Sequence, residues 1–537
     1  MLKEDPTNTR LDSLQSYLRK LLKEGEISET IYDQIRPMNA KIARAHGLPK
    51  VHKDFERIPP FRPIIDIIGS THSLVGKYLT NLLHPLTQNS YSIKDSFEAA
   101  SRIENIPKHL LNDEDYILVS LDVVSLFTNV PLNRTVKVIL DRVYKEKLID
   151  TTLSKRVLKK LIIDTCRKTA FMFDNKIYEQ IDGVSMGASL GPVLSNIIMT
   201  ECEKKIVNKF INQNIIRFYI RYVDDTLLLV KKDQLDKVLK AFNKFDRGLK
   251  FTVDTFDNCL PHFLDLEICP NGISIFRKNT HTGQYVNYTS VTPWKWKVAW
   301  IRSLTQRAVK ICNSSNLSKE IKSIKNFAAW NAFPKHIVNG IIKRITSKTS
   351  RKVNPVNDDV LKIYLNISYP DQKGEQLIKN CAKKLKRFSK KKFVFVPLYS
   401  VTKMSFFTNM KDKLPFLSKS NVVYRFTCPG CSSAYIGKTD RTLFIRTKEH
   451  ATRQDHTVKQ HIDNCSNVEH LFNMFNVFND DVNKRQFLIQ LVRDHTSIID
   501  QANNWNVLLY KEALHIKQKN PILNNGLKGS RELQLFK

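Results

Sequence analysis

Leu11, Leu14, Leu18 and Leu22 recur at three- and four-residue intervals, the period of one helical face, and predict helix over residues 11–35. Residues 47–66, GLPKVHKDFERIPPFRPIID, carry four prolines and predict a loop with an extended hairpin. YILVSLDVV reads as a strand, and helices follow around 133–170. GVSMGASLGPVLSNIIM starts as a glycine-bearing loop and continues as a helix. In RFYIRYVDDTLLLV two apolar runs meet at adjacent carboxylates, the pattern of a β-hairpin. Residues 300–346 are helical, with Ile321, Ile324 and Ala328 on one face. The periodicity fades over 347–415, where KKLKRFSKKK (383–392) has the charge run of a linker or basic arm. A second compact unit begins near NVVYRFTCPGC, and there is no internal repeat.

Charge then narrows the partners. A net charge of +34 with a pI near 9.7 is extreme for an enzyme of ordinary metabolites. It calls for a polyanion, most simply nucleic acid. An acidic membrane is the rival, but no apolar run approaches the roughly 18 residues of a spanning helix. The N-terminus MLKEDPTNTR lacks the apolar stretch of a signal peptide. A length of 537 residues with 42% hydrophobic positions predicts two or three packed domains. Nine mostly scattered cysteines suit a reducing compartment.

The carboxylates need a physical reason. Asp122 in SLDVVSLF and Asp224 in YVDD are each expected at the end of an apolar strand, with Asp225 beside them. Adjacent strands would bring these like charges together, and a divalent cation would relieve the repulsion. Mg²⁺ takes oxygen ligands and bridges to phosphate. Two such ions stabilise an in-line phosphoryl displacement. Taken alone, DD also fits a simple turn.

Four blocks in order, PFRPIID, LDVVSLF, GVSMGASLGP and YVDD, resemble the reverse transcriptase family. The resemblance implies a right-hand polymerase of fingers, palm and thumb, with Asp122, Asp224 and Asp225 as the Mg²⁺ triad. It places Lys50 and Arg62 on the triphosphate of a dNTP and Phe127 at the sugar gate. Met186 stands where many relatives have glutamine, Gly187 lies against the nucleotide, and Lys250 is a candidate for proton transfer to pyrophosphate. LPHFLDLEI, around Leu264 and Asp265, resembles the primer-gripping turn. Trp294 and Trp296 fall in the expected thumb, either facing the duplex or in its core.

In the second unit, VVYRFTCPGCSSAYIGKTDRTLFIRTKEH resembles the GIY-YIG nuclease family, with Val-Val-Tyr for its first half-motif. The resemblance implies a site of Tyr424, Tyr435, Arg446, His450, Glu512 and Asn524, with Asn525 as an alternative to Asn524. Glu512 would hold a divalent cation, and a tyrosine would orient or deprotonate the attacking water. Independently, Cys428 and Cys431 have the spacing by which one turn presents two thiolates to an ion. His461 and Cys465, four apart, complete a soft tetrahedral set for structural Zn²⁺. His456 or His470 could replace either distal ligand, and an unligated pair or a disulfide is the alternative.

Together the units resemble Penelope-like retroelement proteins. The expected fold is α+β: a right-hand polymerase followed by a small α/β GIY-YIG nuclease. The expected boundaries are an N-terminal helical segment (1–35), fingers and palm (36–280), thumb (281–346), basic connector (347–415) and endonuclease (416–537). The implied function is target-primed reverse transcription in the nucleus, with template RNA, target DNA, an RNA–DNA duplex and dNTPs as partners, no membrane, and an oligomeric state left open. The rivals are a non-catalytic nucleic-acid-binding remnant and an RNA-templated polymerase acting at chromosome ends.

Overall fold

A computed structural model describes residues 1–51, 56–256, 260–347, 361–368, 371–388, 393–400, 412–468, 481–502 and 505–524. Helices α1 (Thr7–Lys23) and α2 (Glu29–Ile35) open the chain, and Leu11, Leu14 and Leu18 are buried. Strands β1 (Ala43–Pro49) and β2 (Phe61–Asp66) form the expected antiparallel hairpin. Helices α3 (Ser73–Leu83), α4 (Ser96–Glu104) and α5 (Lys108–Leu111) lead to β3 (Tyr116–Val123). Next come α6 (Leu132–Tyr144), α7 (Lys155–Arg167), β4 (Ala170–Phe173) and β5 (Lys176–Glu179). The order β2–β1–β4–β5 makes a small four-stranded sheet.

The central sheet is built from β3, β6 (Ile216–Tyr222), β7 (Asp225–Lys231) and β8 (Phe251–Asp254), all antiparallel, in the order β6–β7–β3–β8. Between β5 and β6 runs α8 (Gly191–Asn212), and between β7 and β8 runs α9 (Leu235–Phe245). Alternation along the strands sends successive side chains to opposite faces. Val119, Leu121, Val123, Leu228 and Val230 join one core with Ile139, Leu158, Ile197 and Phe242 of the helices. Leu118, Leu227 and Leu229 face the other way, onto Ala99, Ile103, Phe263 and Leu266. That second cover ends before Asp122 and Asp225, which are exposed.

Strands β9 (His262–Phe263), β10 (Leu266–Cys269) and β11 (Gly272–Ile275) form a three-stranded sheet. Helices α10 (Trp294–Ile311), α11 (Ser314–Trp330) and α12 (Lys335–Thr346) pack through Val298, Ile301, Ile324, Ala328 and Ile341. Trp294 and Trp296 are partly exposed, whereas Trp300 is the buried tryptophan of this helix. The 347–415 stretch, expected as a basic connector, contains more structure than its periodicity suggested. Strands β12 (Leu361–Ser368) and β13 (Phe393–Ser400) pair in parallel, with α13 (Gln372–Phe388) between them. A βαβ unit needs only two short apolar runs, and the lysines of α13 dilute their signal. Residues 389–392 of the basic run lie outside the described residues.

The C-terminal unit has a sheet β15–β14–β16, from β14 (Val422–Thr427), β15 (Ala434–Thr439) and β16 (Thr496–Gln501). Around it lie α14 (Leu443–Thr452), α15 (Thr457–Asn464), α16 (Asp481–Asp494) and α17 (Trp505–Lys519). It touches the N-terminal part directly. Asn39 Nδ2 donates to the Asp440 carbonyl at 2.8 Å, and Arg44 donates to the carbonyl of Asp412, in the stretch just ahead of the unit, at 3.0 Å.

Candidate active sites

In the central sheet, Asp122 of β3 is the direct cross-strand partner of Asp225 of β7. Asp224 does not end a strand. It lies with Val223 in the turn between β6 and β7, so the carboxylate that continues the ladder is Asp225. Asp225 is exposed at its tip, yet burial of its surroundings, then Asp224, then Asp122, push its pKa up to about 6. The three carboxylates do not bring their oxygens within 4.8 Å of one another. Asp122 and Asp225 nevertheless share a register, and both Asp224 and Asp122 raise the Asp225 pKa. Such an all-oxygen set has the chemistry to take a hard divalent cation such as Mg²⁺.

The turn is held from below by a group that strand periodicity does not reveal. Arg221 and Glu203 are both fully buried and form an ion pair. The guanidinium also donates to Asn196 Oδ1 at 2.8 Å, to the Val223 carbonyl at 3.0 Å and to Ser92 Oγ at 3.0 Å. Tyr219 donates to Glu203 at 3.2 Å. Val223 has φ 55°, a strained value for a β-branched residue, and Arg221 grips its carbonyl.

Gly187 has φ 109°, and a Cβ there would fall 2.3 Å from the Ile65 carbonyl oxygen. The close approach it permits is therefore to the backbone of β2, which is fastened again by Ile65 N to the Met186 carbonyl at 2.8 Å. Phe127 is half-buried, beside Gly191. Lys50 follows β1 in the β1–β2 hairpin, its N–H on the Pro60 carbonyl at 2.8 Å, and Arg62 is exposed on β2. Lys250 is exposed where its carbonyl receives the Val124 N–H, two residues beyond Asp122. Asp265, in the turn between β9 and β10, accepts from Ser96 at 2.6 Å and pairs with Arg307 of α10.

The C-terminal unit gathers Tyr424, Tyr435, Arg446 and His450. The fully buried Tyr424 hydroxyl is hydrogen-bonded to His450 Nε2 at 2.6 Å and accepts from Arg446 Nε at 2.8 Å. The Tyr435 and His450 ring centroids are 5.3 Å apart. Gly437 faces Tyr424 across the strands, and a Cβ there would meet the Tyr424 hydroxyl at 2.6 Å. The third position of the YIG block must therefore be small. Burial pushes both phenol pKa values up and that of His450 well down. Burial thus favours the protonated form of both phenols. Glu512 of α17 is buried and pairs with Lys438 at 2.5 Å. Lys438, directly after YIG, is a charged member of the site that the motif reading missed. The Asn524 amide clamps both the N–H and the carbonyl of Ile436, each at 2.8 Å. Both polar atoms thereby hold the β15 edge. Asn525 lies outside the described residues.

Cys428, Cys431, His461 and Cys465 place their ligand atoms within 4.8 Å of one another, the one such group of three or more among the described residues. Cys428 Sγ lies 3.9 Å from Cys465 Sγ, and Cys431 Sγ 3.3 Å from His461 Nε2. Tetrahedral zinc with bonds of about 2.0–2.3 Å has ligand–ligand edges of roughly 3.3–3.8 Å, so the set fits. The cysteines are unbridged. His456 instead lies beside His450, the ring centroids 4.9 Å apart and the planes inclined at 59°, and His470 lies outside the described residues. We expect about one zinc per chain by metal analysis. Cys428→Ser with Cys431→Ser should lose it and lower the melting temperature of the C-terminal unit, leaving primer extension intact. A metal-free wild-type chain that melts normally would refute the site.

Residues 58–255 match the family model for reverse transcriptase (RNA-dependent DNA polymerase), and residues 284–343 match that for the animal helix-turn-helix domain. The chain thus carries a reverse transcriptase domain, in a polymerase-like fold of mixed helix and sheet. The second match covers α10–α12. No curated protein matches the chain. Among solved structures, telomerase from Candida albicans in complex with a TWJ fragment of telomeric RNA is similar at TM-score 0.39 and 14% identity, covering 61% of this chain and 60% of that one. Apo telomerase from Candida tropicalis gives 0.36 and 14%, covering 61% and 64%. The Sicinivirus 3Dpol RNA-dependent RNA polymerase gives 0.35 and 15%, covering 59% and 71%. The chain spans less than two thirds of the length of these telomerase chains.

Proposed function

We propose that this protein is an RNA-directed DNA polymerase joined to a DNA-nicking GIY-YIG endonuclease, performing target-primed reverse transcription for a Penelope-like retroelement in the nucleus. The observation that carries the reading is the Asp122–Asp225 register inside a reverse transcriptase domain. The cluster of Tyr424, Arg446 and His450 on the same chain is the support for reading a second activity.

In the palm, Asp122, Asp224 and Asp225 would hold Mg²⁺, which when bound neutralises charge on the attacking and leaving oxygens. Lys50 and Arg62, on the fingers hairpin, would pair with the triphosphate. Phe127 would close the space that a ribose 2′-OH needs. In the nuclease, Arg446 would stabilise the developing phosphorane charge. Tyr424, fixed between Arg446 and His450, would set the guanidinium in place, and Tyr435 would orient the water. Glu512 would hold the cation, its carboxylate shared with Lys438.

The test separates the two sites on one chain. Purified protein is incubated with supercoiled plasmid, its RNA, dNTPs and Mg²⁺. Asp224→Asn should reduce DNA synthesis by about 10²-fold or more and leave nicking intact. Glu512→Ala should do the reverse on a supplied primer. Wild-type cDNA covalently joined to nicked plasmid is the expected product. Normal extension by Asp224→Asn would remove the palm assignment, and normal nicking by Glu512→Ala would remove the nuclease.

A further inference from the structure

One carboxylate beside Arg446 has no part in the chemistry above. Glu449 lies three residues after Arg446 on α14, and its side chain is 14% exposed. Two guanidiniums meet on it. Arg441 grips it with both terminal nitrogens, Nη1 on Oε1 at 2.7 Å and Nη2 on Oε2 at 2.5 Å. Arg446 Nη1 faces Oε2 at 3.4 Å, an ion pair on one helical face. The forked Arg441 contact fixes the plane of the carboxylate as well as its place. Burial opposes the charge on Glu449, yet Arg441 and then Arg446 hold its carboxyl below the ordinary carboxylate range. An anion is therefore fixed beside Arg446 at neutral pH.

Two features give this carboxylate a purpose. Arg446 commits its Nε to the Tyr424 hydroxyl at 2.8 Å and turns Nη1 to Glu449, so two of its three nitrogens are held. A long side chain held at two points has lost its rotamer freedom before substrate arrives. It keeps 19% exposure, the part that a phosphate would meet. Without Glu449 the Arg441 and Arg446 guanidiniums would repel each other. The second feature is the mounting of Arg441. It stands in the turn between β15 and α14, where Thr439 Oγ1 accepts from its N–H and donates to its carbonyl, each at 3.1 Å. The preceding carbonyl, of Asp440, receives the Asn39 amide at 2.8 Å. Asn39 lies between α2 and β1, so the turn is held from within the C-terminal unit and from outside it.

We propose that Glu449 is a positioning residue of the nuclease, aiming Arg446 at the scissile phosphate, and that the Asn39 contact makes this aim depend on the docking of the C-terminal unit against the N-terminal segment. The role rests on the reading of the C-terminal unit as an endonuclease. Its chemistry is orientation alone: Glu449 touches neither phosphate nor water, and acts through the guanidinium that does. Small displacements of such a group are costly, because its stabilisation of developing charge depends on geometry set in advance. The path from Asn39 through Asp440, Arg441 and Glu449 to Arg446 is continuous in the structure. Nicking would then respond to a change at Asn39 that leaves primer extension alone.

The test is nicking of supercoiled plasmid by the full chain with Mg²⁺, reading turnover at saturating DNA apart from the DNA concentration that half-saturates it. Glu449→Gln keeps the shape and removes the charge. It should slow turnover about tenfold, the scale of one charge-assisted hydrogen bond, and leave half-saturation within about twofold. In an Arg446→Ala background, Glu449→Gln should add no further loss to the residual nicking, because both act through one guanidinium. Asn39→Ala should slow turnover about threefold, the scale of one neutral hydrogen bond, with primer extension and melting temperature unchanged. Its contact is exposed, so this variant carries the test should Glu449→Gln fail to fold. Normal turnover in Glu449→Gln, or a second tenfold loss in the Arg446→Ala background, would overturn the positioning role. A fall in turnover matched by weaker DNA binding and a lower melting temperature would reduce Glu449 to packing. Normal nicking by Asn39→Ala would overturn the dependence on docking. A wild type that nicks nothing, or an Arg446→Ala chain that nicks normally, would instead remove the endonuclease reading itself.

Discussion

Arg221→Met is expected to destabilise the polymerase part by about 3–5 kcal/mol, because it leaves the Glu203 carboxylate buried and unpaired. The thermal transition of that part should fall markedly, and primer extension should disappear. A second replacement separates the two effects. Arg221→Met with Glu203→Leu removes both charges and should recover most of the stability, since paired apolar substitutes for a buried ion pair are often neutral or better. Extension should stay lost, because nothing then donates to the Val223 carbonyl or to Ser92. The strained turn carrying Asp224 would relax, and the carboxylates would leave their register. Recovery of extension in the double variant would show that Arg221 serves stability alone. Loss of extension with restored melting identifies it as a positioning residue.

The same residues show what was legible in the chain. Strands β3, β6 and β7 were readable because apolar residues alternate or run continuously there, and the hairpin followed from the two runs meeting at DD. Which aspartate continues the ladder was not readable. It depends on Val223 adopting φ 55°, a conformation its β-branched side chain disfavours and only the tertiary network supports. Arg221 and Glu203 are eighteen residues apart on different elements, and a charge pair at that distance leaves no periodic trace. Lys438 was hidden similarly, since its partner Glu512 is seventy-four residues away. Tyr424, Arg446 and His450 were readable as a motif, but not the burial that fixes Tyr424 as a protonated, positioning group. Asn524 shows the converse. Its side chain could be located from the sequence, whereas its occupation by the Ile436 backbone could not. The four zinc candidates were legible because both pairs are local in sequence, and folding had only to bring two turns together.

Asp225→Asn is expected to raise the melting temperature of metal-free protein at pH 7.5 while abolishing DNA synthesis. The sign follows from the direction of the shift. The Asp225 pKa is raised from 3.8 to about 6 in the folded protein, so the folded state holds its proton more tightly than the unfolded chain does. Below about pH 4 the carboxyl is protonated in both states and costs nothing. As the pH rises through 6 the folded state must carry a charge beside Asp224 and Asp122, and stability falls. Replacing the carboxylate by an amide removes that repulsion. The gain in melting temperature should therefore appear above about pH 6 and vanish near pH 4. Added Mg²⁺ should close the gap from the other side, because it stabilises the wild type by binding its folded state and finds one ligand fewer in the variant. Extension by the wild type should decline as the pH drops through 6, as the proton competes for the same oxygen. A variant that melts at the wild-type temperature at pH 7.5, with and without Mg²⁺, would mean that the three carboxylates neither repel one another nor share a cation.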